Sequence, residues 1–296
     1  MMVESCVGKK NVLCLLLFLF PFFGEAEEED KKVLATAQDT LIFETYKEQM
    51  SDFDGDVQAL LLETALCFLE TPYKAATLEV SDPEKLVINL REMDCTTYLE
   101  NMLALAYTHQ FKGDMDCFEN MLRMLRYRDG ELDGYLSRLH YFTEWIKDNE
   151  RKGMVKDVTK ACGGELLPLQ IDFMSSHADA YKMLNLHPEW VKPLKEREEL
   201  LSQDSIYYIP KERLESCLDS LCSGDMVAIT THLEGLDVTH VGFVYKDNGN
   251  VYLLNASSKE RKVIISDELL PDYLNAYKNH SGIIVFRAVE MVPIEP

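Results

Sequence analysis

An α+β fold is expected from three features of the chain. Segments with helical periodicity come first, short β-branched strands come last, and an Asp247-Asn248-Gly249 turn joins two of those strands. Ala59 to Glu70 is apolar at helical spacing and stops at Thr71-Pro72, where proline ends a helix. A second helix is expected to start at Asp94, a favourable N-cap, because Leu99, Met102, Leu103 and Ala106 follow at i, i+3, i+4 and i+7. Gly113 to Cys222 reads as mostly helical, with the pattern strongest over Leu132 to Asn149, Ile171 to Asn185 and Glu189 to Ser202. Pro188 and Pro193 punctuate the last two stretches, and Gly163-Gly164 marks a loop. Strands are expected over Met226 to Thr231, Val238 to Lys246, Asn250 to Ser257, Lys262 to Ser266 and Gly282 to Val289. No internal repeat or low-complexity segment interrupts this order.

The 296-residue chain opens with Lys9 and Lys10, an apolar run from Val12 to Phe23, and the small residues of Gly24-Glu25-Ala26. Residues 1–26 therefore read as a cleaved export signal, since the run falls short of the roughly 20 apolar residues that span a bilayer. Cys14 lacks the small residue before it that lipid attachment needs. Residues 27–296 are expected to form a single catalytic domain without stable membrane insertion, with 113–222 as a helical insertion. Glu27 to Asp30 reads as a solvated linker. The net charge of −21 is unchanged by removing the signal, which holds two Lys and two Glu. So acidic a surface repels polyphosphate, and no basic cluster offsets it, so nucleic acid is not an expected partner.

Six cysteines lie beyond residue 26, at 67, 95, 117, 162, 217 and 222. An even count in an exported chain invites a disulfide reading, but the spacing is irregular, and a chain this long builds a core without staples. At most one bridge is expected. Cys217 and Cys222 have the wrong spacing for a redox or zinc half-site. The chain has no HExxH, Walker loop or GxSxG elbow, and no metal or other cofactor is expected.

Cys95 follows the N-cap Asp94, so it occupies the first turn of a helix. The partial positive charge there favours a thiolate and is expected to lower the cysteine pKa. His240 is a polar residue inside the apolar strand Thr239-His240-Val241-Gly242. A two-residue loop at Asn248-Gly249, or a four-residue loop from Asp247 to Asn250, sets one and the same register. Asn255 then faces Gly242, and His240 and Asn255 become diagonal neighbours on one sheet face. An amide in reach of the imidazole holds the tautomer that accepts a thiol proton. Cys95, His240 and Asn255 thus form a candidate Cys-His-Asn set. Trp145 and Cys67 read as core. His140 is expected on a helix beside Leu136 and Leu139 in a structural role, and His109, His177, His187, His232 and His280 as structural or exposed.

A family resemblance joins these residues. Leu69-Glu70-Thr71-Pro72-Tyr73, Thr77-Leu78-Glu79 and Asn89 to Thr97 resemble the first active-site block of NlpC-type cell-wall cysteine peptidases. The closer likeness is to their N-acetylmuramoyl-L-alanine amidase-like subfamily. It continues through Ser137 to Ile146, Ser205 to Pro210, Ser223 to Val227, Gly235 to Phe243 and Asn255 to Ser258. The resemblance implies a papain-like α+β core with an antiparallel sheet, Cys95 as nucleophile, His240 as base and Asn255 as third member, where wider relatives often carry histidine. It also implies Tyr73 as a wall of the substrate pocket, and Asp94 as a helix cap that also contacts substrate. The implied substrates are peptidoglycan fragments, cut between N-acetylmuramic acid and L-alanine, in the periplasm or cell envelope of a bacterium. Alternatives are cleavage of the stem peptide after D-glutamate, binding of muropeptides without cleavage, and acyl transfer to an acceptor other than water.

Overall fold

The computed structural model describes residues 32–291. The expected signal over 1–26 and the acidic stretch from Glu27 to Asp30 lie outside them. Helices and strands are both present, as an α+β chain requires. The helices are α1 (Ala37–Gln49), α2 (Val57–Cys67), α3 (Cys95–Gln110), α4 (Met115–Arg126), α5 (Phe142–Arg151), α6 (Phe173–Ser176), α7 (Lys182–Leu186), α8 (Val191–Leu201) and α9 (Leu270–Asn275). Strands β1 (Val33–Leu34) and β2 (Leu86–Val87) pair in parallel. The main sheet comprises β3 (Val155–Asp157), β4 (Glu165–Leu166), β5 (Tyr207–Pro210), β6 (Met226–Thr231), β7 (Val238–Asp247), β8 (Asn250–Ser257), β9 (Lys262–Leu269) and β10 (His280–Ala288).

The main sheet is antiparallel, in the order β4-β5-β10-β6-β7-β8-β9, with β3 paired to β10. All five strands expected from the sequence are present. The helical reading of 113–222 needs correction, because this stretch also supplies β3, β4 and β5, which extend the sheet beyond β10. Its helices are also shorter than the apolar periodicity predicts. Positive backbone φ at Gly134 (74°) breaks the path, so within Leu132 to Asn149 only a 3-10 turn at Tyr135–Ser137 and α5 form. His140 consequently lies in an irregular segment before α5, not on a helix.

Helix α3 sits at the centre. Every residue from Thr97 to Thr108 is buried, the pattern of a helix surrounded by protein on all sides. It packs on β7 and β8, flanked by α2 and α4. Its start is held from outside: the Asp39 carboxylate in α1, itself fully buried, accepts the N–H of Leu90 at 2.9 Å and Nε of Arg91 at 3.0 Å. Lower down, the Glu100 carboxylate accepts Arg126 Nε at 2.7 Å and Trp145 Nε1 at 3.1 Å, while Arg126 Nη1 donates to the Val87 carbonyl at 2.6 Å. Trp145 is fully enclosed, in the core as expected.

All six cysteines among the described residues are free. No helix among the described residues is long and apolar enough to cross a membrane. Replacing Glu100 with Ala would leave the buried Arg126 guanidinium without its counter-ion. The expected loss is about 3–5 kcal/mol, read from urea unfolding midpoints at unchanged slope.

Candidate active site

Asp94 caps α3 with a reciprocal box. Its Oδ1 accepts the Thr97 N–H at 2.8 Å, and its own N–H donates to Thr97 Oγ1 at 3.0 Å. That box places Cys95 at the first helical position. Among the described residues the Cys95 N–H has no protein acceptor, as expected of a first-turn amide. The backbone N–H of Val241, one residue after His240, is directed at the Cys95 thiol and favours its ionised form.

The β7–β8 hairpin takes the two-residue loop. Asn248 and Gly249 have φ of 48° and 83°, and Asp247 pairs with Asn250, the left-handed pair that such a hairpin turn requires. The register continues to Phe243 opposite Leu254. His240 Nε2 meets Asn255 Oδ1 at 2.9 Å, and Asn255 Nδ2 donates to the Leu253 carbonyl at 3.2 Å. The second bond orients the first. With Nδ2 committed to a carbonyl, Asn255 presents only its oxygen to the ring, so Nε2 carries the proton and Nδ1 keeps its lone pair. A Cβ on Gly242 would lie 2.7 Å from the Leu254 carbonyl oxygen and 3.1 Å from Asn255 Cβ. The glycine is therefore what lets the two strands close over this bond.

Cys95, His240 and Asp94 line one cleft of about 260 Å3. Tyr135, Arg138, His140, Tyr141 and Asp237 also line it. Tyr73 is not part of this lining; it lies beside Cys95 and Asp94, whose charges join burial in raising its phenol, with Arg261 over its ring at 5.9 Å. No hydrogen bond joins the thiol to the imidazole among the described residues, and such contacts in free enzymes often tighten only when substrate binds.

The expected low thiol pKa is not found. Burial first, and the neighbouring Asp94 charge second, push Cys95 up to about 12, and the helix-start amides only partly offset them. Burial also lowers His240 below its ordinary value, against the bond from Asn255 and the charge of Asp94. Both effects favour the uncharged forms of the two groups.

Two neighbours carry no signal in the sequence. The ring of Tyr273, on α9, stacks on His240 at 6.3 Å and 24°, and His280 stacks on Tyr273 at 6.2 Å and 18°. His280, expected to be merely structural or exposed, is buried behind the proposed base and pushed down to about 4 by burial and by His240. Tyr273 also lies close enough to Cys95 for the thiolate charge to raise its phenol. Neither position falls in a family-like block, so only the packing of α9 and β10 reveals them.

Residues 63–283 match the AmiA-like, N-acetylmuramoyl-L-alanine amidase-like family. The chain belongs to that family. Among solved structures, an N-acetylmuramoyl-L-alanine amidase from Bacteroides uniformis is 39% identical, with a TM-score of 0.77 over 80% of this chain and 100% of its own. A Bacteroides fragilis protein described as a candidate xylanase is 43% identical, with a TM-score of 0.74 over 76% of this chain and 99% of its own. A Legionella pneumophila protein at 19% identity shares the fold, with a TM-score of 0.66 over 87% of this chain and 95% of its own. No curated protein sequence matches significantly.

A Gly242→Ala substitution is expected to force β7 from β8. The loss is about 1–3 kcal/mol by chemical denaturation, and the Nε2–H signal of His240 should lose its hydrogen-bonded shift in proton NMR.

Proposed function

We propose that this chain is a cysteine-dependent N-acetylmuramoyl-L-alanine amidase acting on peptidoglycan fragments in the bacterial cell envelope, with Cys95, His240 and Asn255 as its triad. The observation that carries the reading is the pair of bonds at Asn255, which leaves His240 Nδ1 as a proton acceptor in the cleft that also holds Cys95. Family membership supports the bond class.

The proposed reaction starts from the neutral pair. Nδ1 takes the thiol proton as sulfur attacks the lactyl carbonyl, so neither charge exists alone in the buried site. The Cys95 N–H, without a protein acceptor, suits the developing oxyanion, and a donor so placed contributes on the order of 3 kcal/mol to lowering the barrier. The imidazolium returns its proton to the L-alanine nitrogen, which leaves as the amine. A water molecule, activated by the same nitrogen, then releases the muramic acid carboxylate. Asp94 caps the helix and borders the substrate, and Tyr73 flanks the nucleophile from outside the cleft.

The xylanase description of one relative prompts a glycosidase reading, which needs a free acid and a free carboxylate across the scissile bond. The cleft carboxylates are otherwise engaged. Asp94 caps α3, Glu100 holds Arg126, Glu79 holds Arg138 at 2.5 Å, and Asp237 accepts the N–H and Oγ1 of Thr143 at 2.8 and 2.9 Å. The amidase reading relies on His240 Nδ1 and the Cys95 N–H, neither of which has a protein hydrogen-bond partner among the described residues.

Digesting muropeptides and weighing the products tests the reading. Sugar free of amino acids is expected, whereas sugar still carrying L-Ala-D-Glu would assign the chain to stem-peptide cleavage instead. Cys95→Ala should abolish turnover with the fold intact, and an undiminished rate would refute the nucleophile. His240→Ala should lower kcat/KM by about 10²-fold or more. Because the base must be unprotonated and burial lowers its pKa, kcat/KM should rise with pH along a limb lying below 6.5, the ordinary imidazole value. A midpoint above that value would count against a buried neutral base.

A further inference from the structure

Part of the cleft lining comes from one short strip of chain, Arg138 to Tyr141. Arg138 and Tyr141 both have extended backbone, with φ, ψ of −66°, 140° and −94°, 134°. All four residues from Arg138 to Tyr141 border the cleft, but Leu139 packs into the main core and the hydroxyl of Tyr141 is committed to Glu198 at 2.6 Å. Arg138 and His140 share the ring of Tyr135, at 4.9 Å and 4.4 Å from its centre.

Each of the two keeps a polar atom open. Arg138 is only 5% exposed, yet its one hydrogen bond among the described residues runs from Nη2 to Glu79, while Glu84 lies 3.7 Å from Nε, beyond hydrogen-bond reach. Its Nη1 makes no hydrogen bond of normal geometry, although the Tyr135 phenol lies within reach of the guanidinium, and it is not among the enclosed orphan atoms, which include Nε. His140 Nε2 meets the Tyr135 carbonyl at 2.9 Å, so that nitrogen must carry the proton, and Nδ1 keeps a lone pair without a protein partner. Burial and the Arg138 charge push His140 down to about 3, which favours keeping that lone pair.

A donor on Arg138 and an acceptor on His140 therefore stand two residues apart on one rigid wall. A ligand carboxylate fits this pair poorly, because it would meet Glu79, Glu84 and a ring lone pair. A neutral group carrying both an acceptor and a donor fits it. We propose that Arg138 and His140 form a specificity subsite for a secondary amide of the substrate other than the scissile one, with Arg138 Nη1 donating to its carbonyl and His140 Nδ1 accepting its N–H. Two groups on a muropeptide have this chemistry: the 2-acetamido group of the sugar and the peptide bond after L-alanine. The inference deepens the amidase reading and rests on it for the substrate, but its test reads binding and not turnover.

The chain carrying Cys95→Ala is titrated calorimetrically with three ligands. They are N-acetylmuramoyl-L-alanyl-D-isoglutamine, its analogue with hydroxyl in place of acetamido, and N-acetylmuramoyl-L-alanine. The titrations are repeated after adding His140→Gln, whose amide N–H stands in for Nε2 and which lacks the Nδ1 acceptor. His140→Phe, which keeps the ring on Tyr135, serves if the first variant does not fold. Loss of the acetamido group should weaken binding about tenfold in the Cys95→Ala chain, as expected for a hydrogen bond to a charged group, and much less once His140 is replaced. That result assigns the subsite to the sugar. The same pattern on truncating the stem, with the acetamido group neutral, assigns it to the peptide bond. If both ligand changes cost equally with and without His140, or if none of the ligands binds, the subsite is overturned. Product masses from the chain with Cys95 intact decide the amidase reading separately, so either idea can fail while the other stands.

Discussion

With two residues in the Asn248–Gly249 loop, positions 240 and 255 fall on one face of the β7–β8 ribbon, and the bond between His240 and Asn255 becomes possible. A loop one residue longer would turn one of them to the other face, because side chains alternate with every residue. The imidazole tautomer, the direction of its lone pair and the room left at Gly242 all follow from that count. The second bond of Asn255, to a carbonyl on its own strand, turns the amide from a generic polar neighbour into an orienting one. A carboxylate in this place would accept from Nε2 but would confront the Leu253 carbonyl with a second acceptor.

Burial disfavours the charged form of both Cys95 and His240. It raises the thiol and lowers the imidazole, so an ion pair at rest is disfavoured from both sides. A helix start alone favours a thiolate, but the amides reaching Cys95 compete here with desolvation and with Asp94 one residue away. Desolvation is the larger effect. A site of this kind stores little charge while free and generates it only as the proton moves, in surroundings where fixed dipoles act strongly on the charge that forms. The ring of Tyr273, itself backed by His280, stacks on the imidazole and adds aromatic surface beside it.

The segment between α3 and the later strands does two jobs that a simple helical insertion would not. Its three short strands complete one side of the sheet. Its run from Arg138 to Tyr141, between a 3-10 turn and α5, supplies part of the cleft lining, and positive backbone φ at Gly134 keeps this stretch from forming one continuous helix. An extended strip can present Arg138 and His140 side by side, whereas on a helix residues two apart point away from each other.

The amino-acid sequence alone determines the features that depend on covalent neighbours. These are the Asp94 cap that places Cys95 at a helix start, the Asn248-Gly249 turn, and the strand alternation that sets His240 and Asn255 on one face. Each is local, because capping, turn geometry and side-chain period are properties of a few consecutive residues. The tertiary structure decided how far the apolar periodicity of 113–222 becomes helix, which residues share the cleft with Cys95, and the ionisation state of the proposed nucleophile. Those depend on desolvation and contact between segments far apart in the chain. A cysteine after an N-cap reads the same whether water or packed protein surrounds it, and only the fold supplies the surroundings.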